Sequence, residues 1–96
     1  MTPVEHVVDG STLRTGRAAL AAFAEALSFP DYFGGNLDAL YDCLTDLSWL
    51  PAVEHHVHWT HAEVLRRNDP DAFAGISEVL ADAVAANPLL TVRVTA

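Results

Sequence analysis

Three β-rich runs, Val4–Val8, Val53–Trp59 and Leu89–Val94, are each separated from the next by two stretches of helical pattern, and this spacing narrows the fold most. Connections of that length are far too long for hairpins and long enough for parallel crossovers, so the runs read as strands of one small parallel sheet. The order β-α-α-β-α-α-β predicts an α/β fold: a three-stranded parallel sheet packed with about four helices. No internal repeat, low-complexity linker or composition break divides the chain. Its 96 residues, half of them apolar, suit one domain over residues 1–96 with one modest core.

Local signals set the helix boundaries. Thr15 is placed to cap a helix running to about Leu27, with Leu20, Phe23, Ala24 and Leu27 on one face. Ser28-Phe29-Pro30 ends it, because the residue before proline is pushed out of helical geometry. Asn36 caps a second helix from Leu37 to about Leu47. Thr60-His61-Ala62-Glu63 has the spacing of a capping box and opens a short helix through Arg67. Asp69 then caps a last helix with Pro70 at its first position. That helix carries Phe73, Ile76, Leu80 and Val84 on one face and stops at Asn87-Pro88.

The formal charge is −8, and the few basic residues are all arginine. Such a surface repels phosphate backbones, which argues against direct nucleic-acid binding. It attracts a basic partner and speeds the encounter with one. No run approaches the roughly 18 apolar residues of a membrane span. The start, Met1 to His6, lacks the basic and apolar regions of a signal peptide. Cys43 is the only cysteine, so no intrachain disulfide forms. The expectation is a cytoplasmic protein with no membrane partner.

Helix wheel geometry singles out the second helix. Leu37, Leu40, Leu44 and Leu47 gather on one side as a buried stripe, and Asp38, Asp42, Thr45 and Asp46 gather on the other. Tyr41 falls at the border and Cys43 flanks the leucines. Like charges four residues apart cost an isolated helix roughly 0.2–0.5 kcal/mol per pair, and no Lys or Arg occurs between Arg17 and Arg66 to relieve them. A helix that accepts this penalty holds a face of one sign, and such conflicts with local rules mark functional sites. Beside it stand Tyr32 and Phe33, and carboxylates next to aromatic rings suit recognition of arginines.

The run from Phe29-Pro30-Asp31-Tyr32-Phe33-Gly34-Gly35-Asn36 through Leu37-Asp38-Ala39-Leu40-Tyr41-Asp42-Cys43-Leu44-Thr45 resembles the signature segment of the barstar family, intracellular inhibitors of barnase-type ribonucleases. The remaining elements are similar in order and length. The resemblance implies an inhibitor and not an enzyme. Its partner is a small, basic, extracellular-type ribonuclease in a 1:1 complex, and no cofactor or metal is involved. By this resemblance Asp42 would take the place of a substrate phosphate among the enzyme's catalytic arginines and histidine, Asp38 would pair with a further basic residue, and Tyr32 would pack on the catalytic histidine. Gly34 and Asn36 let the loop backbone approach closely, with Phe33 and Tyr41 in the same surface, and Thr45 adds a polar contact. Val79 and Asp82 of the last helix match rim positions. Gly35 stands where the family has an acid, Tyr41 and Leu47 where it has tryptophans, and Ala86 where it has a glutamate, while Asp82 is a shortened acid. The centre of the surface is kept and its rim is altered.

Other constellations define competing readings. His56 and His58 share a strand face, opposite to Val53, His55, Val57 and Trp59, and with Glu54 or His61 they form a candidate metal site for a regulatory domain. Asp38 and Asp42 are a candidate acid and base of a hydrolase. Cys43 is no nucleophile, since it flanks a leucine stripe and its neighbour Asp42 raises its pKa. Gly34-Gly35 lacks the lysine and spacing of a phosphate-binding loop.

Overall fold

Strands Val4–Asp9 (β1), His55–Thr60 (β2) and Leu90–Val94 (β3) form one parallel sheet in the order β1-β2-β3. They come from a computed structural model that describes residues 2–96; Met1, the first residue of the predicted domain, lies outside it. Register pairs His6 with Val57, Val8 with Trp59, and His55 with Leu90. Alternation follows from the pleat: His6, Val8, His55, Val57, Trp59 and Leu90 are buried, whereas Glu5, Val7, Asp9, Thr91 and Arg93 are exposed. One face therefore carries the core and the other is open and polar, unlike the doubly covered parallel sheets of larger α/β proteins.

Helices Gly16–Ala26 (α1), Leu37–Asp46 (α2), Glu63–Asn68 (α3) and Pro70–Ala86 (α4) complete the predicted order. Thr15, Asn36 and Asp69 each accept a hydrogen bond from the backbone N–H three residues on, as their positions predict. Asp69 also accepts from Gly16 N at 3.1 Å, tying the start of α1 to the start of α4. The core gathers on Trp59, whose ring meets Phe23 edge-on at 5.5 Å and lies 5.6 Å from Phe73. Gly10 is needed beside it, because a Cβ there would lie 2.3 Å from the Thr60 carbonyl oxygen and 2.9 Å from Trp59 Nε1. No helix among the described residues is long and apolar enough to cross a membrane.

Three local expectations are corrected. Thr60 does not cap α3: it is the last residue of β2, paired with Asp9, and its hydroxyl donates to the Val8 carbonyl. Helix α3 starts at Glu63 after Ala62 with no side-chain cap, and Glu63 binds Arg66 and Arg67 instead of reaching back. The end of α1 is set by Ser28, whose φ of 53° lets Ser28 N bond to Glu25 O and Phe29 N bond to Ala24 O. That pattern is a Schellman closure, so Pro30 follows the stop without causing it. Leu37 stays 38% exposed and leaves the buried stripe to Leu40, Cys43, Leu44 and Leu47.

Candidate functional site

The loop between α1 and α2 rests on aromatic rings. Phe29 meets Phe33 edge-on at 4.9 Å and Trp49 edge-on at 5.9 Å. Trp49 in turn donates its indole N–H to the Leu27 carbonyl at 2.9 Å, capping the end of α1. Phe33 is thus half-buried and anchors the loop from below, while Tyr32 stands 68% exposed above it. Gly35 adopts φ 68°, in the left-handed region, with no neighbour within 4 Å of a notional Cβ, so backbone conformation selects glycine there. At Gly34 a Cβ would approach only the Asn36 side chain, at 3.4 Å. Asn36 Oδ1 accepts from Ala39 N at 2.8 Å, which fixes where α2 begins.

Helix α2 then projects its acids outward. Asp38, Asp42 and Asp46 are all exposed. Helix α4 lies alongside, held in part by Asn87, whose Nδ2 donates to the Leu44 carbonyl at 3.0 Å. Between them runs an open groove of about 510 Å³ lined by Leu37, Asp38, Tyr41, Asp42, Val79 and Asp82. Five of these six are predicted site residues, drawn together from two helices. Leu37 is the one the sequence missed, since its place in the leucine pattern assigned it to the core. The signal was its position directly after the cap, where no preceding helical turn covers it.

The groove has an apolar floor and three carboxylates on its walls. Among the described residues no ion pair involves Asp38, Asp42, Asp46 or Asp82; Arg66 and Arg67 pair with Glu63, and the remaining pairs join histidines to Glu5, Glu54 and Asp9. The arrangement can therefore receive a cation with aliphatic length, and guanidinium groups fit such carboxylates bidentately. Thr45, half-buried, donates its hydroxyl to the carbonyls of Tyr41 and Asp42 at 2.9 and 3.2 Å, which leaves its oxygen free to accept. Asp46 accepts from Ser48 at 3.2 Å and, at the longer 3.5 Å, from the Tyr32 hydroxyl. Partial desolvation, and after it the Asp46 charge, holds the Tyr32 phenol above its usual pKa.

The competing readings find less support. Asp38 and Asp42 sit on successive turns of an exposed helix in an open groove, without the enclosure that separates the roles of an acid and a base. Cys43 is buried, and desolvation first, then Asp42 and Asp46, push its thiol up, so it stays protonated. His56 bonds to Glu5 at 2.8 Å, His58 is held by Thr95 and Arg93, and His61 turns to Asp9. No group of three metal-ligating side chains converges among the described residues.

Fold and face together define a small parallel α/β protein that presents an unpaired acidic groove and an aromatic-backed loop on one side. The sequence matches the Barstar (barnase inhibitor) family over residues 4–94, and the chain belongs to that family, one of inhibitors and not of enzymes. It is also similar to YrdF of Bacillus subtilis (strain 168), named as a candidate ribonuclease inhibitor, with 42% identity over 45 residues, 47% of this chain and 50% of that protein. The match thus spans about half the length of this curated relative.

Proposed function

We propose that this chain, as a single domain, inhibits a small basic ribonuclease of the barnase type in a 1:1 complex. The observation that carries the reading is the groove, where Asp38 and Asp42 from α2 and Asp82 from α4 converge with no cation paired to them among the described residues. A ribonuclease active site holds cationic groups to bind a phosphodiester, and Asp42 takes the phosphate's place among them. Asp38 and Asp82 engage basic side chains at the edge, whose stems lie on Leu37, Tyr41 and Val79. The exposed Tyr32 stacks on a ring of the enzyme, while Gly34 and Gly35 bring the loop backbone close. Occlusion does the rest, and no bond is made or broken on the inhibitor. A cytoplasmic setting suits this role, with Cys43 reduced and buried.

The test is calorimetric titration into barnase and into the small secreted ribonuclease of the source organism, with RNA cleavage followed in parallel. The reading expects a 1:1 endpoint with matching loss of activity for at least the organism's own enzyme. Binding without loss of activity, or no binding to either enzyme, overturns it.

A further inference from the structure

Apart from the groove, on β1 and at the start of β2, two histidines meet inside the protein. His6 Nε2 lies 2.9 Å from His55 Nδ1, with the ring planes 28° apart. The outer nitrogens both face backbone carbonyls: His6 Nδ1 is 3.2 Å from Ala26 O, and His55 Nε2 is 2.8 Å from Pro51 O. His6 is 9% exposed and His55 2%.

A hydrogen count constrains this chain of contacts. A carbonyl oxygen only accepts, so each nitrogen that faces one must carry a hydrogen, and the contact between the rings needs one more. Three hydrogens are required, and two neutral imidazoles supply two. One added proton completes the chain, whereas a second would place two hydrogens between the rings. Of the two carbonyl contacts the one at Ala26 is the longer, so it is assigned as the open contact of the neutral pair. Both neutral rings are then Nε2–H tautomers, and the added proton belongs on His6 Nδ1.

We propose that His6 and His55 form a one-proton joint, in which a single proton taken up at His6 Nδ1 fastens β1 to the last turn of α1 and its loss releases that contact. The end of α1 suits the cation: no basic residue occupies its last turn, and helix C-termini favour positive charge. Glu5 beside it on β1 also favours the proton, and Asp46 at the end of α2 lines the small cavity that His55 borders. From β3 the partner opposite His55 is the neutral Leu90, and from the end of α4 the neutral Asn87 lines the same cavity. Burial acts the other way and is the largest influence on His6, holding its pKa below the ordinary value. The unfolded chain therefore binds the proton first. Stability falls as pH drops below about 6.5 and levels off once the folded joint is also protonated.

The joint lies at the root of the recognition loop. Ala26 O faces His6, the next carbonyl, Leu27 O, accepts from Trp49, and Trp49 carries Phe29 and through it Phe33. The proton state is thus passed to the segment that leads into Tyr32, whatever partner that loop meets.

Nitrogen-15 NMR of histidine-labelled full-length protein between pH 8.5 and 4.5 tests the joint. At high pH both rings should show the Nε2–H pattern, with scalar coupling across the contact between them. On acidification only His6 should become an imidazolium, in one transition below the ordinary histidine value, and the Phe29 and Phe33 amides should shift with the same midpoint. In His55→Phe the neutral His6 should change to the Nδ1–H tautomer, and the wild-type spectra stand alone if that variant does not fold. An imidazolium on His55, independent titration of both rings, or Phe29 and Phe33 amides that ignore the transition would each overturn the proposal.

Discussion

Leu37 on α2 rests on Gly75 of α4: a Cβ at Gly75 would come within 2.9 Å of Leu37 Cδ1. The missing side chain lets the first turn of α2 settle against α4, which is what gathers Asp38 and Asp42 with Val79 and Asp82 in one groove. Gly75→Ala separates stability from recognition here. Alanine gains about 1 kcal/mol of helix propensity over glycine, and the obstructing atom is the tip of a half-exposed side chain that can turn away. Urea unfolding should show stability raised by up to about 1 kcal/mol. The displaced Leu37 enters the groove, so affinity for the cognate nuclease should fall by about tenfold, roughly 1.4 kcal/mol. Unchanged affinity would show that the floor of the groove takes no part in binding.

Ser28 ends α1 in a left-handed conformation at φ 53°. A non-glycine residue there costs roughly 1–2 kcal/mol, part of which glycine gives back through the entropy of the unfolded chain. Ser28 is exposed, and among the described residues its side chain makes no hydrogen bond that would be lost. Ser28→Gly should raise stability by about 0.5–1 kcal/mol, seen as a higher Tm. A lower Tm would mean that the closure of α1 does not depend on this backbone conformation.

Asp42→Ala should leave folding nearly untouched. The side chain is exposed and unpaired, and its loss removes two like-charge contacts, to Asp38 and Asp46, each worth roughly 0.2–0.5 kcal/mol. Binding should suffer far more, because removing one member of a buried charge pair costs about 3–5 kcal/mol. Paired urea unfolding and calorimetry of the same variant decide the matter. A loss of binding smaller than the change in stability removes the phosphate-mimic role.

How much of this was legible in the sequence depended on how local each cause is. The caps at Thr15, Asn36 and Asp69 were readable because the side chain and the N–H it binds lie three residues apart. Thr60 had the same local pattern, but a distant strand claimed it: its pairing with Asp9 and its bond to Val8 O outweigh a cap. The acidic face of α2 was visible from helical periodicity alone, and the resemblance supplied Val79 and Asp82, which no local pattern connects to it. The inward turn of His55 was legible from strand alternation. Its partner His6, 49 residues away, was not, nor was the indole of Trp49 on the end of α1.

Glu63 binds both Arg66 and Arg67, and these bonds bring its carboxyl down to about 2. A depressed carboxyl binds fewer protons in the folded state than in the unfolded one. The stability it contributes is therefore present above the ordinary value of 4.5 and is lost as pH falls towards about 2. Glu63→Gln should lower neutral-pH stability slightly, since the bridge is exposed and screened, and flatten the acid limb over that window by the same small amount. An unchanged acid limb would show that the bridge does not persist in solution.

Charge also sets how fast the complex forms. The groove and α2 carry no basic residue, Arg66 and Arg67 are held by Glu63 on α3, and the chain as a whole stands at −8. On the proposed function, a basic nuclease is drawn to one side of the molecule before contact. Screening shortens that attraction from about 8 Å at physiological salt to about 3 Å at 1 M. Stopped-flow association with the cognate enzyme should slow by about 10- to 100-fold across that range, because steering acts on the encounter. Dissociation should change much less, since the pairs in the formed complex are shielded from solvent ions. Charge reversal at a distant acid such as Glu25 should alter the salt slope only slightly, whereas Asp38→Lys should reduce it strongly. A rate that ignores salt would mean that the acidic face acts only after contact, through the bonds it makes there.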